Sequence, residues 1–97
     1  GLGRTPEEMA EFTNQVQKYF VEQTRLGIPV VFHEEALHGH AARFGTSFPQ
    51  PIALACSWNP ELAETLFTMA AREARSRGTH LVLTPVVDIS RDPRWGR

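Results

Sequence analysis

One cysteine, Cys56, stands among the 97 residues, so no disulfide can form within the chain. It lies in the small apolar run Ile52-Ala53-Leu54-Ala55-Cys56, where a buried, inert thiol is expected. Charge of one sign is also scarce. The formal net charge is −1, which gives no electrostatic reason to expect nucleic acid or an anionic membrane as a partner. No apolar run approaches the roughly 20 residues of a membrane-spanning helix. There are no internal repeats and no low-complexity stretches. The chain opens Gly1-Leu2-Gly3-Arg4, with neither an initiator Met nor an apolar leader, and stops inside a charged cluster. It is expected to be a piece of a longer polypeptide, and the missing leader says nothing of the compartment.

What is present is ordinary for a globular protein: 41% hydrophobic and 22% charged residues. Thr5-Pro6-Glu7-Glu8 has the capping-box pattern, with Thr5 as N-cap, Pro6 at the first helical position and Glu8 reaching back. Met9, Phe12, Val16, Tyr19 and Phe20 recur at helical spacing; Arg25 suits the last turn and Gly27 the stop. Ile28-Pro29-Val30-Val31-Phe32-His33 then reads as a strand. It is nearly continuous in apolar residues, as for a parallel strand covered on both faces.

Residues 34–58 form a long connection in which Pro51 to Cys56 supplies one or two helical turns. A second helix starts at Asn59-Pro60, buries Leu62, Leu66, Met69, Ala70 and Ala74, and stops at Gly78. Its arginines Arg72, Arg75 and Arg77 are expected on a solvated face. His80 to Val87 is the second strand. The order helix, strand, loop, helix, strand, with two apolar strands joined through a helix, predicts a parallel α/β unit with a right-handed crossover. Two such strands leave two open edges, so the segment alone is expected to be marginal or unfolded.

Polar residues gather directly after each strand: His33-Glu34-Glu35-Ala36-Leu37-His38-Gly39-His40, and Asp88 to Arg97. Parallel strands place both clusters on one face, where α/β folds collect their ligand sites. A zinc site is not expected, because His33 and His38 are five positions apart, one too many for two ligands on one helical face. These two histidines are expected to be hydrogen-bonded structural groups. Adjacent Glu34 and Glu35 should diverge, with at most one facing the site. In the second cluster Asp92-Pro93 could be a plain turn with Arg94 on the surface. Three arginines, two aspartates and a tryptophan on one strand end fit a polar ligand better. Carboxylate and guanidinium across a small cavity suit a polyol, and an aromatic ring can cover the apolar face of a sugar.

The stretches Gly27 to Gly39 and Thr84 to Arg97 resemble the N-terminal domain of glycoside hydrolase family 3. Thr46-Ser47-Phe48-Pro49-Gln50 and Trp58-Asn59-Pro60 are similar too. Glu35-Ala36-Leu37-His38-Gly39 and Asp92-Pro93-Arg94-Trp95-Gly96-Arg97 read like the motifs of the β-glucosidase and β-xylosidase group. The segment after the first strand does not fit the branch acting on N-acetylglucosamine. The resemblance implies that residues 1–97 are the N-terminal part of a (β/α)8 barrel. That barrel would hydrolyse terminal β-D-glucosyl or β-D-xylosyl residues with retention, without metal or other cofactor. Glu35 and Arg97 would bind the terminal sugar, with Glu35 standing where many members carry Asp. The family's nucleophile, acid/base and lysine-histidine pair lie beyond these residues, so no catalytic residue is assigned here. The expected partners are a β-glycoside or oligosaccharide and the remainder of the barrel. Resemblance points weakly to the periplasm or the cell exterior. A carbohydrate-binding protein without a nucleophile and a transglycosylase are the alternatives on the same scaffold.

Overall fold

A computed structural model describes residues 4–95; Gly1–Gly3, Gly96 and Arg97 lie outside the described residues. The elements are α1 (Pro6–Gln23), β1 (His33–Glu34), α2 (Pro51–Ala55), α3 (Pro60–Ser76) and β2 (Leu81–Val82). This is a mixed α/β arrangement with two parallel strands, His33 opposite Leu81 and Glu34 opposite Val82.

Local chemistry sets the helix starts. The Thr5 hydroxyl accepts from the Glu8 N–H (3.2 Å), and the Glu8 carboxylate accepts from the Thr5 N–H (3.0 Å), closing the capping box. Asn59 Oδ1 accepts from the Leu62 N–H (3.0 Å) at the start of α3. The stop of α1 differs from expectation. The helix ends at Gln23 with Thr24 as C-cap, whose hydroxyl donates back to the Phe20 carbonyl, so Arg25 falls outside the last turn. Gly27 makes the following turn with φ +61°.

Both strands are much shorter than the apolar runs. The bonded ladder covers the Phe32 carbonyl, which accepts from Leu81 N–H (3.1 Å), and the Glu34 carbonyl, which accepts from Leu83 N–H (3.0 Å). A run becomes strand only where another chain segment lies beside it. Upstream of Phe32 a side chain substitutes for a strand. The Gln17 amide donates to the Val30 carbonyl (2.7 Å) and accepts from the Val30 N–H (2.8 Å), tying α1 to the extended segment.

The two long helices meet at Thr13, whose hydroxyl lies 3.3 Å from the Arg77 carbonyl. A Cβ on Gly78 (φ +92°) would come within 2.3 Å of that hydroxyl oxygen, so the crossing needs glycine there. Among the described residues the buried apolar side chains are Met9, Ala36, Ala70 and Ala74. Leu62 and Met69 of the predicted α3 stripe, and Phe12, Tyr19 and Phe20 of α1, are exposed instead. Two further expectations are corrected. Cys56 is exposed: it is the C-cap of the short α2, which buries none of its own residues. Arg77 is not on a solvated face: as the C-cap of α3 it leaves the helical periodicity, folds under residues 40–46 and is 3% exposed.

Candidate functional site

Parallel pairing makes β1 and β2 run out of the sheet in the same direction. Beyond them the chain borders a half-open cavity of about 480 Å³, within the usual range of roughly 300–1,000 Å³ for small-molecule sites. Leu37 and His38 line it from the segment after β1. Val86, Asp88, Ser90 and Trp95 line it from the segment after β2, and Gln50, Pro51 and Ile52 close it from the start of α2.

The second cluster divides in two. Asp92 grips Arg94 in a fork, with Nε to Oδ1 at 2.9 Å and Nη2 to Oδ2 at 2.6 Å, and also accepts from the Arg94 N–H (2.9 Å). These bonds hold the Asp92 carboxyl below its ordinary range. The plain turn is therefore what forms at Asp92-Pro93-Arg94, with the Arg94 side chain on the surface. The Trp95 N–H donates to the Asp92 carbonyl (3.1 Å), so the turn brings the indole back to the cavity. Asp88, Ser90 and Trp95 remain on the cavity side. The wall carries a carboxylate acceptor, a hydroxyl, an imidazole and an amide beside an indole and aliphatic groups. Such a wall can bond vicinal hydroxyls while covering an apolar face.

Glu35 is exposed and follows β1 directly, but it is not among the residues lining this cavity. Its carbonyl accepts from the Ala41 N–H (3.1 Å). Glu34, its neighbour, is half-buried. Arg97 lies outside the described residues. The expected hydrogen bonds of His33 and His38 do not form among the described residues. His33 is exposed where β1 begins, and His38 turns to the cavity. Among the described residues no group of three His, Cys, Asp or Glu side chains is arranged to hold a metal ion, and no helix is long and apolar enough to cross a membrane.

The histidine that is buried is His40, 4% exposed and close enough to Arg77 to feel its charge. Burial and then the Arg77 guanidinium lower its pKa below 6.5, against weaker opposing pulls from Glu34 and Glu73. On α3, burial pushes Glu73 up. The hydroxyl and N–H of Thr46, with Arg77 and His40, more than offset that and leave it below 4.5. Sequence reasoning missed the grouping of His40, Thr46, Glu73 and Arg77; the one available signal was an arginine directly before Gly78, where a helix ends. A pH dependence follows. An unfolded chain takes up the His40 proton at a higher pH than the folded one, so stability falls as pH drops from about 6.5 through the lowered pKa. Thermal midpoints of the full-length protein should decline over this window, and less so for His40→Gln. Parallel pH profiles for the two proteins would count against a neutral buried His40.

Two parallel strand ends, a carboxylate-bearing loop and an indole-lined cavity define the class as an α/β segment with a small-molecule-sized pocket at its strand termini. A match to the Glycosyl hydrolase family 3 N terminal domain spans residues 3–97, and the chain belongs to this family. It is 39% identical over 83 residues to the periplasmic beta-glucosidase of Salmonella typhimurium, covering 86% of this chain and 10% of that protein. It is 43% identical over 91 residues to the xylan 1,4-beta-xylosidase of Xylanibacter ruminicola, covering 75% of this chain and 10% of that protein. It is 35% identical over 98 aligned positions to beta-glucosidase C of Emericella nidulans, covering 93% of this chain and 16% of that protein. The chain is thus a fragment in scale, spanning 10–16% of the length of these relatives.

Proposed function

We propose that the full-length protein carrying this segment is a retaining β-glycosidase that removes terminal β-D-glucosyl or β-D-xylosyl residues. Residues 1–97 are the N-terminal part of its (β/α)8 barrel, and they contribute part of the subsite for the terminal sugar. The family match over residues 3–97 carries this reading. Relatives named as beta-glucosidases and as xylosidases support both sugars equally. Glu35 accepts hydrogen bonds from sugar hydroxyls and Arg97 donates to others. The cavity walled by Asp88, Ser90 and Trp95 offers further polar contacts and an aromatic face beside them. Nucleophile and acid/base come from elsewhere in the polypeptide, as retention requires two carboxyl groups about 5 Å apart.

The test is turnover of aryl β-glucosides and β-xylosides by the full-length protein, with the anomer of the first-formed product followed by NMR. Glu35→Ala should lower kcat/KM about 10- to 150-fold, the equivalent of roughly 1.5–3 kcal/mol for a hydrogen bond to a charged group. Unchanged turnover in that variant would refute the role of Glu35. Sugar binding without turnover by the parent protein would favour a carbohydrate-binding protein on the same scaffold, and glycosyl transfer to sugar acceptors in place of water a transglycosylase.

A further inference from the structure

The loop that follows Glu35 is held from outside by α3. Glu73 accepts twice from Thr46, from its N–H at 2.9 Å and from its hydroxyl at 2.5 Å. One turn further along the helix, Arg77 Nη2 donates to the Arg43 carbonyl (3.1 Å). Between these anchors sits Gly45, so tightly enclosed that a Cβ there would lie 2.4 Å from the His40 carbonyl oxygen and 3.5 Å from Arg77 Nη1. The grip reaches Glu35 through the backbone: the Ala41 N–H donates to the Glu35 carbonyl (3.1 Å), and the Phe48 N–H to the His38 carbonyl (2.7 Å).

This design is more than space filling. Among the described residues Nε and Nη1 of Arg77 are buried without hydrogen-bond partners, an arrangement that an aliphatic side chain would avoid. What the charged groups supply is direction. Glu73 fixes one backbone N–H and one hydroxyl, Arg77 fixes one carbonyl, and the loop between them cannot slide along the helix without losing all three. Glu35 is exposed and its carbonyl accepts from the Ala41 N–H, so the backbone sets where its side chain starts and hence the region its carboxylate can reach. We propose that Glu73 and Arg77 are positioning residues for sugar binding, acting through the 40–46 loop on Glu35. The inference rests on the assignment of Glu35 to the sugar subsite.

The experiment is a double-mutant cycle between Glu73 and Glu35 in the full-length protein. It reads the inhibition constant of free glucose or xylose, together with KM and kcat on an aryl glycoside. Glu73→Ala should weaken inhibition and raise KM about tenfold, short of the roughly hundredfold that a 1 Å misplacement can cost. Glu73→Gln should restore most of the loss, because its amide still accepts from the Thr46 N–H and can donate to the Thr46 hydroxyl. In a Glu35→Ala background, Glu73→Ala should add less than about twofold, since coupled residues are non-additive. A purely structural role would lower the folded fraction and leave the inhibition constant of the folded enzyme unchanged. If Glu73→Ala does not fold, Thr46→Val enters the same cycle, removing the hydroxyl bond and sparing the N–H bond. Additive effects, or no effect of either variant on inhibition, overturn the proposal. A Glu35→Ala variant with unaltered inhibition refutes the sugar-subsite assignment, whereas an impaired Glu35→Ala with additive Glu73→Ala refutes only the positioning role.

Discussion

Replacing Gly39 by alanine is expected to destabilise the full-length protein by about 2–5 kcal/mol, combining roughly 1–2 for a left-handed alanine with roughly 1–3 for overpacking. Gly39 has φ +97°, and a Cβ there would lie 2.0 Å from the Thr46 carbonyl oxygen and 3.1 Å from Phe48 Cδ2. The obstacle is backbone, so no rotamer change relieves it. Nor can Thr46 simply withdraw, because Glu73 holds both its N–H and its hydroxyl. Gly78 makes a useful contrast. There the clash is with the side chain of Thr13, at 2.3 Å, so Thr13→Ala should recover part of the stability lost in Gly78→Ala. No companion substitution at Thr46 should rescue Gly39→Ala. Denaturant midpoints for the five proteins check this. A Gly39→Ala protein as stable as its parent would mean that the loop is not packed as described.

The helix starts were legible because their physics is local. Thr5-Pro6-Glu7-Glu8 and Asn59-Pro60 satisfy their own first-turn N–H groups, and no distant residue is needed. Helix stops were less so. Gly27 looked like the end of the first helix, but the Thr24 hydroxyl had already turned back to Phe20. Strand lengths were not legible, since Val30 and Val31 look like strand in any apolar count. Here a glutamine from α1, Gln17, and not a neighbouring strand, takes the bonds of Val30. Arg77 defeated the helical periodicity by standing at the C-cap, where side-chain direction no longer follows the face of the helix.

The same division runs through the candidate site. That the segments after the two strands come out on one side was readable, because it follows from parallel pairing alone. That Asp92-Pro93 would be a plain turn with Arg94 on the surface was only an alternative in the sequence; the Asp92–Arg94 pairing that decides it, three bonds within the turn, was not legible there. The helical turns from Pro51 were readable, but not that Gln50, Pro51 and Ile52 close the cavity. That closure depends on where a long loop lays down α2, which hydrophobic patterning over five residues does not specify.

Expressed alone, the 97-residue chain should show no cooperative thermal or urea transition. Ordering each residue costs roughly 1–2 kcal/mol of backbone entropy, which only extensive apolar burial offsets. The buried apolar side chains among the described residues are three alanines and Met9. Phe20, Leu26, Ile28, Val31, Leu83, Val87 and Ile89 all stand exposed. Two residue pairs make up the sheet, and a lone two-stranded sheet is marginal in water at best. The radius of gyration, 16.3 Å, exceeds the roughly 13 Å of a compact chain of this length. Partial helical dichroism from the well-capped α1 and α3, a gradual loss of signal on heating, and self-association through the exposed aromatic and aliphatic side chains are the expected results. Calorimetry with sedimentation would decide the matter. A sharp, reversible heat-absorption peak from a monomer would show that these elements fold without further chain to cover them.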